Sequence, residues 1–274
     1  MPSLASVLGM TGSVNTREPD HERARQIALE GLVLRGLVGS TVHGLANAGT
    51  DDRDEMGVCI EPPEYVIGLR GFEHYVSRTQ PEGMPSGPGD LDLTVYGLRK
   101  FCALAVKGSP TVLLLFFIEG EHLLQRTQTG AELQAIAPAF LSQRTGRAFL
   151  GYLTAQRRSL LGERAAARVR ERSREHGYDT KYAMHALRIG IQGIELLSTG
   201  RITLPVPEPD RARLRAVRSG AVPLDEIVAE LDDVTARLEG MVADNRLPAR
   251  ADEDRVNRFL ITAYQRAWSS PPAE

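Results

Sequence analysis

Hydrophobic and polar positions along the first 110 residues mark out short mixed elements. His21 to Glu30 reads as a helix, and the apolar run Gly31 to Val38 that follows it predicts a strand, ended by Gly39-Ser40. Thr41 to Arg53, with Gly44, Asn47 and Gly49, predicts a loop or short helical turn. A second strand over Met56 to Ile60 is closed by Pro62-Pro63. The three prolines and three glycines of Thr79 to Gly89 predict a flexible loop. Leu91 to Tyr96 alternates as a strand, and a helix from Leu98 to about Lys107 breaks at Gly108-Ser109-Pro110.

From Ala131 onward the periodicity is almost wholly helical: Ala131 to Ile136, Arg147 to Leu161, Tyr178 to Leu197, Leu224 to Leu238, and Glu253 to Trp268. Gly200 to Pro209 is proline-rich and extended, and Ser219-Gly220 marks a turn. The pattern predicts an α+β chain. A small mixed β-sheet core with helices occupies residues 1–130, and an α-helical domain occupies residues 131–274.

Composition narrows the class. With 42% apolar and 25% charged residues and no low-complexity tract, the 274-residue chain is globular. The longest apolar run, Val112 to Ile118, is far too short to span a bilayer, and the first sixteen residues make a poor targeting segment. A soluble, cytoplasmic protein is expected. Cys59 and Cys102 each lie in an apolar stretch, which suits buried thiols in a reducing compartment better than a disulfide or a zinc site. The net charge of -2 is uninformative, but Arg144 to Glu175 holds nine arginines against three glutamates. That segment reads either as a solvated helix face with pairs such as Glu171 with Arg174, or as a footprint for a polyanion such as RNA.

Three features of the first half fit one chemistry. Gly39-Ser40 at a strand end lets the backbone and a hydroxyl approach a phosphate, although Gly-Ser closes many ordinary strands. Asp52 and Asp54, one residue apart at a strand entrance, aim both carboxylates at one face, as a magnesium ion shared with a triphosphate requires. Asp51 adds a further acid that fits an exposed turn equally well. Asp92 begins a later strand and can lie beside the pair if the strands are neighbours. His43 either contacts a nucleotide or is a plain turn residue. There is no Gly-x-Ser-x-Gly elbow, Walker loop, His-Glu-x-x-His helix or Gly-x-Gly-x-x-Gly turn to suggest other chemistry.

The order strand, Gly39-Ser40, Asp52-x-Asp54, strand, Asp92 resembles the signature of the DNA polymerase beta nucleotidyltransferase superfamily. The run Asp92 to Phe101, Lys107-Gly-Ser-Pro110, and Tyr178-Asp-Thr-Lys-Tyr-Ala-Met-His-Ala-Leu-Arg188 is similar to RNA-repair-pathway polymerase-beta-like (RlaP-type) nucleotidyltransferases, departing from them at Ser109 and Leu114. The resemblance implies transfer of a nucleoside monophosphate from an NTP such as ATP to an acceptor hydroxyl, with RNA 3′ ends favoured, and release of pyrophosphate. It also implies two Mg2+ or Mn2+ ions on Asp52, Asp54 and Asp92, with Asp92 activating the acceptor. Alternatives are nucleotidylation of a protein or small-molecule hydroxyl, and a nucleotide- or RNA-binding module without turnover.

In the second half, helical spacing puts Lys181, His185 and Arg188 on one stripe continued by Gln192, beside an apolar face of Met184, Leu187, Ile191 and Ile194. The stripe is either a solvated surface or, with Gly39 and Ser40, the triphosphate-binding wall of the cleft. Tyr178 and Asp179 at its start fit capping and packing.

Overall fold

In the computed structural model, the described residues are 19–46, 52–80, 87, 89–161, 176–244 and 246–269. Asp51, Asn47, Gly49, the first sixteen residues, most of the loop before Gly89, and the Glu171 and Arg174 pair lie outside them.

Five strands form one mixed sheet in the order β3-β4-β2-β1-β5: β1 (Leu32–Leu37), β2 (Arg53–Cys59), β3 (His74–Arg78), β4 (Leu91–Gly97) and β5 (Leu123–Arg126). Only β2 and β4 pair in parallel. Helix α1 (His21–Glu30) is capped by the Asp20 carboxylate, which accepts from Arg23 N at 2.9 Å. It lays Ile27 and Ala28 on one face of the sheet, against Leu32, Cys59, Tyr75, Leu93 and Val95. The other face carries Leu34, Met56 and Val58 into the main core with α4 (Leu98–Val106), where Phe116 meets Phe101 edge-on and Phe140 at a tilt. Leu32 and Leu34 would share a face in a regular strand. A register irregularity between them sends one to each core.

Short turns α2 (Gly39–Val42), α3 (Pro63–Val66) and α5 (Pro110–Leu113) intervene, and α6 (Gln128–Ala135) follows β5. Among the described residues every regular element after β5 is helical, α6 being followed by α7 (Gln143–Leu160), α8 (Thr180–Thr199), α9 (Asp210–Arg218), α10 (Leu224–Ala243) and α11 (Glu253–Ser269). The architecture is thus the α+β arrangement expected, and one hydrophobic cluster runs from β1 through α8 to Tyr264 in α11. Helix α7 begins four residues earlier than the periodicity predicts, because Thr145 Oγ1 accepts from Ser142 N at 3.2 Å and holds its first turn. The hydrophobic pattern predicts neither strand β3, strand β5 nor helix α9. Among the described residues no single helix is long and apolar enough to cross a membrane.

Glu61 is a buried acid where the sheet meets the last helix. Its Oε2 accepts from Tyr264 Oη (2.6 Å) and Leu98 N (3.0 Å), and its carbonyl accepts from Trp268 Nε1 (3.0 Å). Burial raises the carboxyl above its ordinary range. Gly97 makes room for it, since a Cβ there would stand 2.1 Å from Glu61 Oε1. Cys59 and Cys102 are buried free thiols, pushed upward in pKa by that burial.

Candidate active site

The site starts from β2 and β4. Their parallel register sets Asp54 opposite Asp92, and Asp52 lies two residues before Asp54, so alternation turns the pair the same way. Oxygens of Asp52, Asp54 and Asp92 all lie within 4.8 Å of one another, each residue half-buried. Three hard oxygen donors that close together form a donor set suited to a divalent cation such as Mg2+. Asp92 is further held by Gln80 Nε2 (2.9 Å) and by Arg78, its cross-strand partner on β3, at 3.6 Å.

Beside the carboxylates runs the turn that leaves β1. Val38 N donates to Asp54 O at 2.9 Å, and Gly39 then takes φ +65°, a left-handed conformation that favours glycine. A Cβ on residue 39 would fall 1.9 Å from Asp54 Oδ2, so glycine is required twice over. Ser40 follows at the mouth of the cleft. The end of the turn is tied to the C-terminal half: Val206 N donates to His43 O (3.2 Å), and Arg215 donates from Nη2 (2.7 Å) and Nε (3.1 Å) to Gly44 O.

Opposite the carboxylates stands α8, capped by Asp179, which accepts from Lys181 N and Tyr182 N at 3.0 and 3.1 Å. Tyr178 donates to Val222 O at 2.6 Å, so these two residues do cap and pack. The stripe beyond them is not a solvated surface. Lys181 is exposed at its start, but Arg188 and Gln192 are buried, with 8% and 3% of their surface accessible. Arg188 donates to His43 Nε2 (2.7 Å), Gln192 Oε1 (2.7 Å) and His185 Nδ1 (2.9 Å), and the far nitrogen of His185 meets Tyr152 Oη at 3.2 Å. A guanidinium has no acceptor, so both facing imidazole nitrogens accept, and both rings are neutral. Burial and the Arg188 charge hold His185 down at about 3 and His43 well below its ordinary value, while burial lowers Arg188 to about 10. Among the described residues no carboxylate pairs with Arg188. A buried cation facing a cleft with only neutral partners is an anion site in electrostatic terms.

The resulting cleft encloses about 410 Å³. Gly39, Ser40, Asp52, Asp54, Lys181, His185 and Arg188, all singled out from sequence, line it, and Asp92 joins through the carboxylate cluster. Sequence reading missed Gln156 of α7 and Arg218 of α9, which also line it. Tyr152 and Gln156 are one helical turn apart, a spacing that could have flagged that face of α7. For Arg218 no signal existed, because the periodicity assigns no element between Pro209 and Ser219. His43 proves to be a buried partner of Arg188 as well as a lining residue.

Over residues 15–262 the sequence matches the family RlaP, described as the RNA repair pathway DNA polymerase beta family. No curated protein matches. Among solved structures, a nucleotidyltransferase-like protein from Exiguobacterium sibiricum 255-15 is 12% identical over 90% of this chain and 80% of that one. The TM-score between the two is 0.29.

Proposed function

Because the chain belongs to the RNA repair pathway DNA polymerase beta family, and is therefore a polymerase-beta-like nucleotidyltransferase, we propose that it transfers a nucleoside monophosphate from an NTP to an acceptor hydroxyl, an RNA 3′ end, and releases pyrophosphate. The observation that carries this reading is the in-register Asp54 and Asp92 pair with Asp52, facing a cleft walled by Lys181 and the buried Arg188.

Asp52, Asp54 and Asp92 would hold two Mg2+ or Mn2+ ions, which when bound supply positive charge to the phosphate oxygens and the attacking hydroxyl. The strand-bearing residues 1–130 provide these ligands and the Gly39-Ser40 turn, and the helical residues 131–274 provide the cations. Ser40 positions the triphosphate. Lys181 and Arg188 neutralise charge that builds on the leaving pyrophosphate, with His185 holding the Arg188 fork in place. The acceptor oxygen attacks the alpha phosphorus in line, the bond to the beta-bridging oxygen breaks, and its electron pair leaves with pyrophosphate. Asp92 takes or orients the hydroxyl proton. It stands on β4, on the side of Asp54 toward β3, so the acceptor enters past Arg78 and Gln80, the two groups that hold it. The two buried free thiols, Cys59 and Cys102, suit a reducing, cytoplasmic setting.

The test is incubation of the full chain with Mg2+ or Mn2+, each alpha-labelled NTP in turn, and a mixture of total RNA and proteins, with the Asp52→Ala/Asp54→Ala double variant as control. Label entering RNA and lost in the control is the expected result. Label entering protein would move the acceptor to a protein hydroxyl. NTP binding without transfer to RNA or protein would call for small-molecule acceptors before a non-catalytic module is accepted.

A further inference from the structure

The catalytic scheme uses the acids and cations of the cleft and leaves its uncharged lining without a task. Leu45 and Met184 are buried, Tyr182 and Gln156 are half-buried, and all four line the cavity. Among the described residues, neither the Gln156 amide nor the Tyr182 hydroxyl has a hydrogen-bond partner. The path of α7 fixes where Gln156 stands. A Cβ on Gly193 would meet Phe149 and one on Gly190 would meet Leu153, so α7 and α8 run antiparallel. Tyr152 reaches His185, and Gln156, one turn further, comes beside the first turns of α8 that carry Tyr182 and Met184. Arg188 lies six residues beyond Tyr182, about 9 Å of helix, where it is tied to the turn after Gly39-Ser40 through His43. Gly39, Ser40 and Arg188 thus occupy one stretch of the cleft and the uncharged groups another.

We propose that Gln156 binds the nucleobase of the NTP, against Tyr182, Met184 and Leu45, and makes the site select adenine over guanine. This rests on the nucleotidyltransferase reading. A triphosphate is held by cations and backbone N–H groups, whereas a base is a flat ring with a polar edge. It needs apolar walls and a few fixed hydrogen-bonding groups, and these four side chains supply both. A glutamine amide sets a donor beside an acceptor. The N7 edge of adenine offers the complement, an acceptor at N7 next to the N6 donor. The same edge of guanine offers two acceptors, N7 and O6, and leaves the amide oxygen facing another oxygen.

Calorimetric titration of the full chain with ATP, GTP, 7-deaza-ATP and inorganic tripolyphosphate, each in Mg2+, tests this on wild type and Gln156→Leu, with thermal unfolding followed alongside. Wild type should bind ATP about tenfold more tightly than GTP, and more tightly than 7-deaza-ATP, which keeps the ring shape but lacks the N7 acceptor. In Gln156→Leu, ATP should weaken about tenfold, the three nucleotides should bind within about twofold of one another, and tripolyphosphate should bind as it does to wild type. The comparison of ATP with 7-deaza-ATP needs wild type alone, so it decides the N7 contact even if the variant unfolds. Wild type without a preference for ATP over GTP and 7-deaza-ATP, or Gln156→Leu that keeps one, would overturn the assignment. Tripolyphosphate weakened as much as ATP in the variant would make Gln156 a phosphate contact and overturn it too. Wild type that binds neither nucleotides nor tripolyphosphate would overturn the nucleotidyltransferase reading itself.

Discussion

A methyl group on residue 39 would stand 1.9 Å from Oδ2 of Asp54, so the turn and the carboxylate occupy the last space available to both. Gly39→Ala should therefore damage the site twice. The left-handed φ of +65° costs a non-glycine residue about 1–2 kcal/mol, and the Asp54 carboxylate must rotate away from Asp52 and Asp92. Mn2+ binding followed by electron paramagnetic resonance should be lost in this variant, with a modest fall in unfolding midpoint. Retained Mn2+ affinity would mean that Asp54 is not a ligand.

Cation binding at the carboxylate cluster should stabilise the fold. Saturation at about a hundred times Kd adds about 2.7 kcal/mol to a folded state that alone binds the ion. Mg2+ should raise the unfolding midpoint by several degrees and EDTA should reverse it. Asp54→Asn should abolish the rise, and Asp52→Asn, Asp54→Asn and Asp92→Asn should each cut transfer on the order of 10³-fold. An Asp54→Asn protein that still responded to Mg2+ would place the ion elsewhere.

Much of this site was legible because its residues declare themselves locally. Gly39-Ser40, Asp52-x-Asp54 and Asp92 sit at strand ends, and β1, β2, β4, α1 and α4 have clear periodicity. Strand β3 lies at a sheet edge, and β5 exposes Leu124, Gln125 and Arg126, so neither shows the apolar alternation that marks a covered strand. Helix α9 follows a proline-rich stretch and buries only Leu214 and Val217. Whether the Lys181 to Arg188 stripe faced solvent or a cleft was decided by the turn at His43, 145 residues from Arg188. Periodicity carries no information about such a contact.

Arg188 is retained at a cost to folding, since burying a cation without a carboxylate partner costs several kcal/mol. Arg188→Met removes that cost while leaving two imidazole nitrogens without their donor. Folded stability should change by less than about 1 kcal/mol, whereas NTP affinity should fall about tenfold or more. Denaturant unfolding together with nucleotide titration separates the two effects. A large loss of stability at unchanged affinity would make Arg188 purely structural.

Neutral His43 and His185 make stability depend on pH in one direction. Unfolded His185 takes its proton near pH 6.5, the folded ring only near 3, so below 6.5 the unfolded chain binds more protons and stability falls as pH falls. His43 acts the same way. Glu61 opposes them: its raised carboxyl contributes stability below the unfolded value of 4.5, lost as pH rises through the folded one. Each histidine adds a slope of up to about 1.4 kcal/mol per pH unit. His185→Asn should flatten the curve of unfolding free energy between pH 6.5 and about 5 by up to one proton. An unchanged slope would show that His185 titrates normally in the fold.

Tyr264→Phe removes the hydroxyl that joins Glu61 Oε2 and Arg99 N. The loss should be about 1–3 kcal/mol, because a buried carboxyl and a backbone N–H both lose a partner. Glu61→Gln keeps an acceptor for Tyr264 and should cost less. Equal losses would point to side-chain packing rather than to the hydrogen bonds.

The bond between Glu61 and Tyr264 spans 203 residues, and the contacts that fix the Gly39 to Gly44 turn come from Arg188, Val206 and Arg215. Asp52, Asp54 and Asp92 precede Arg188, Val206, Arg215 and Tyr264 along the chain, so they are synthesised before the residues that wall the cleft and fix its turn. A nascent chain thus carries its three clustered carboxylates before the helices that stand beside them exist.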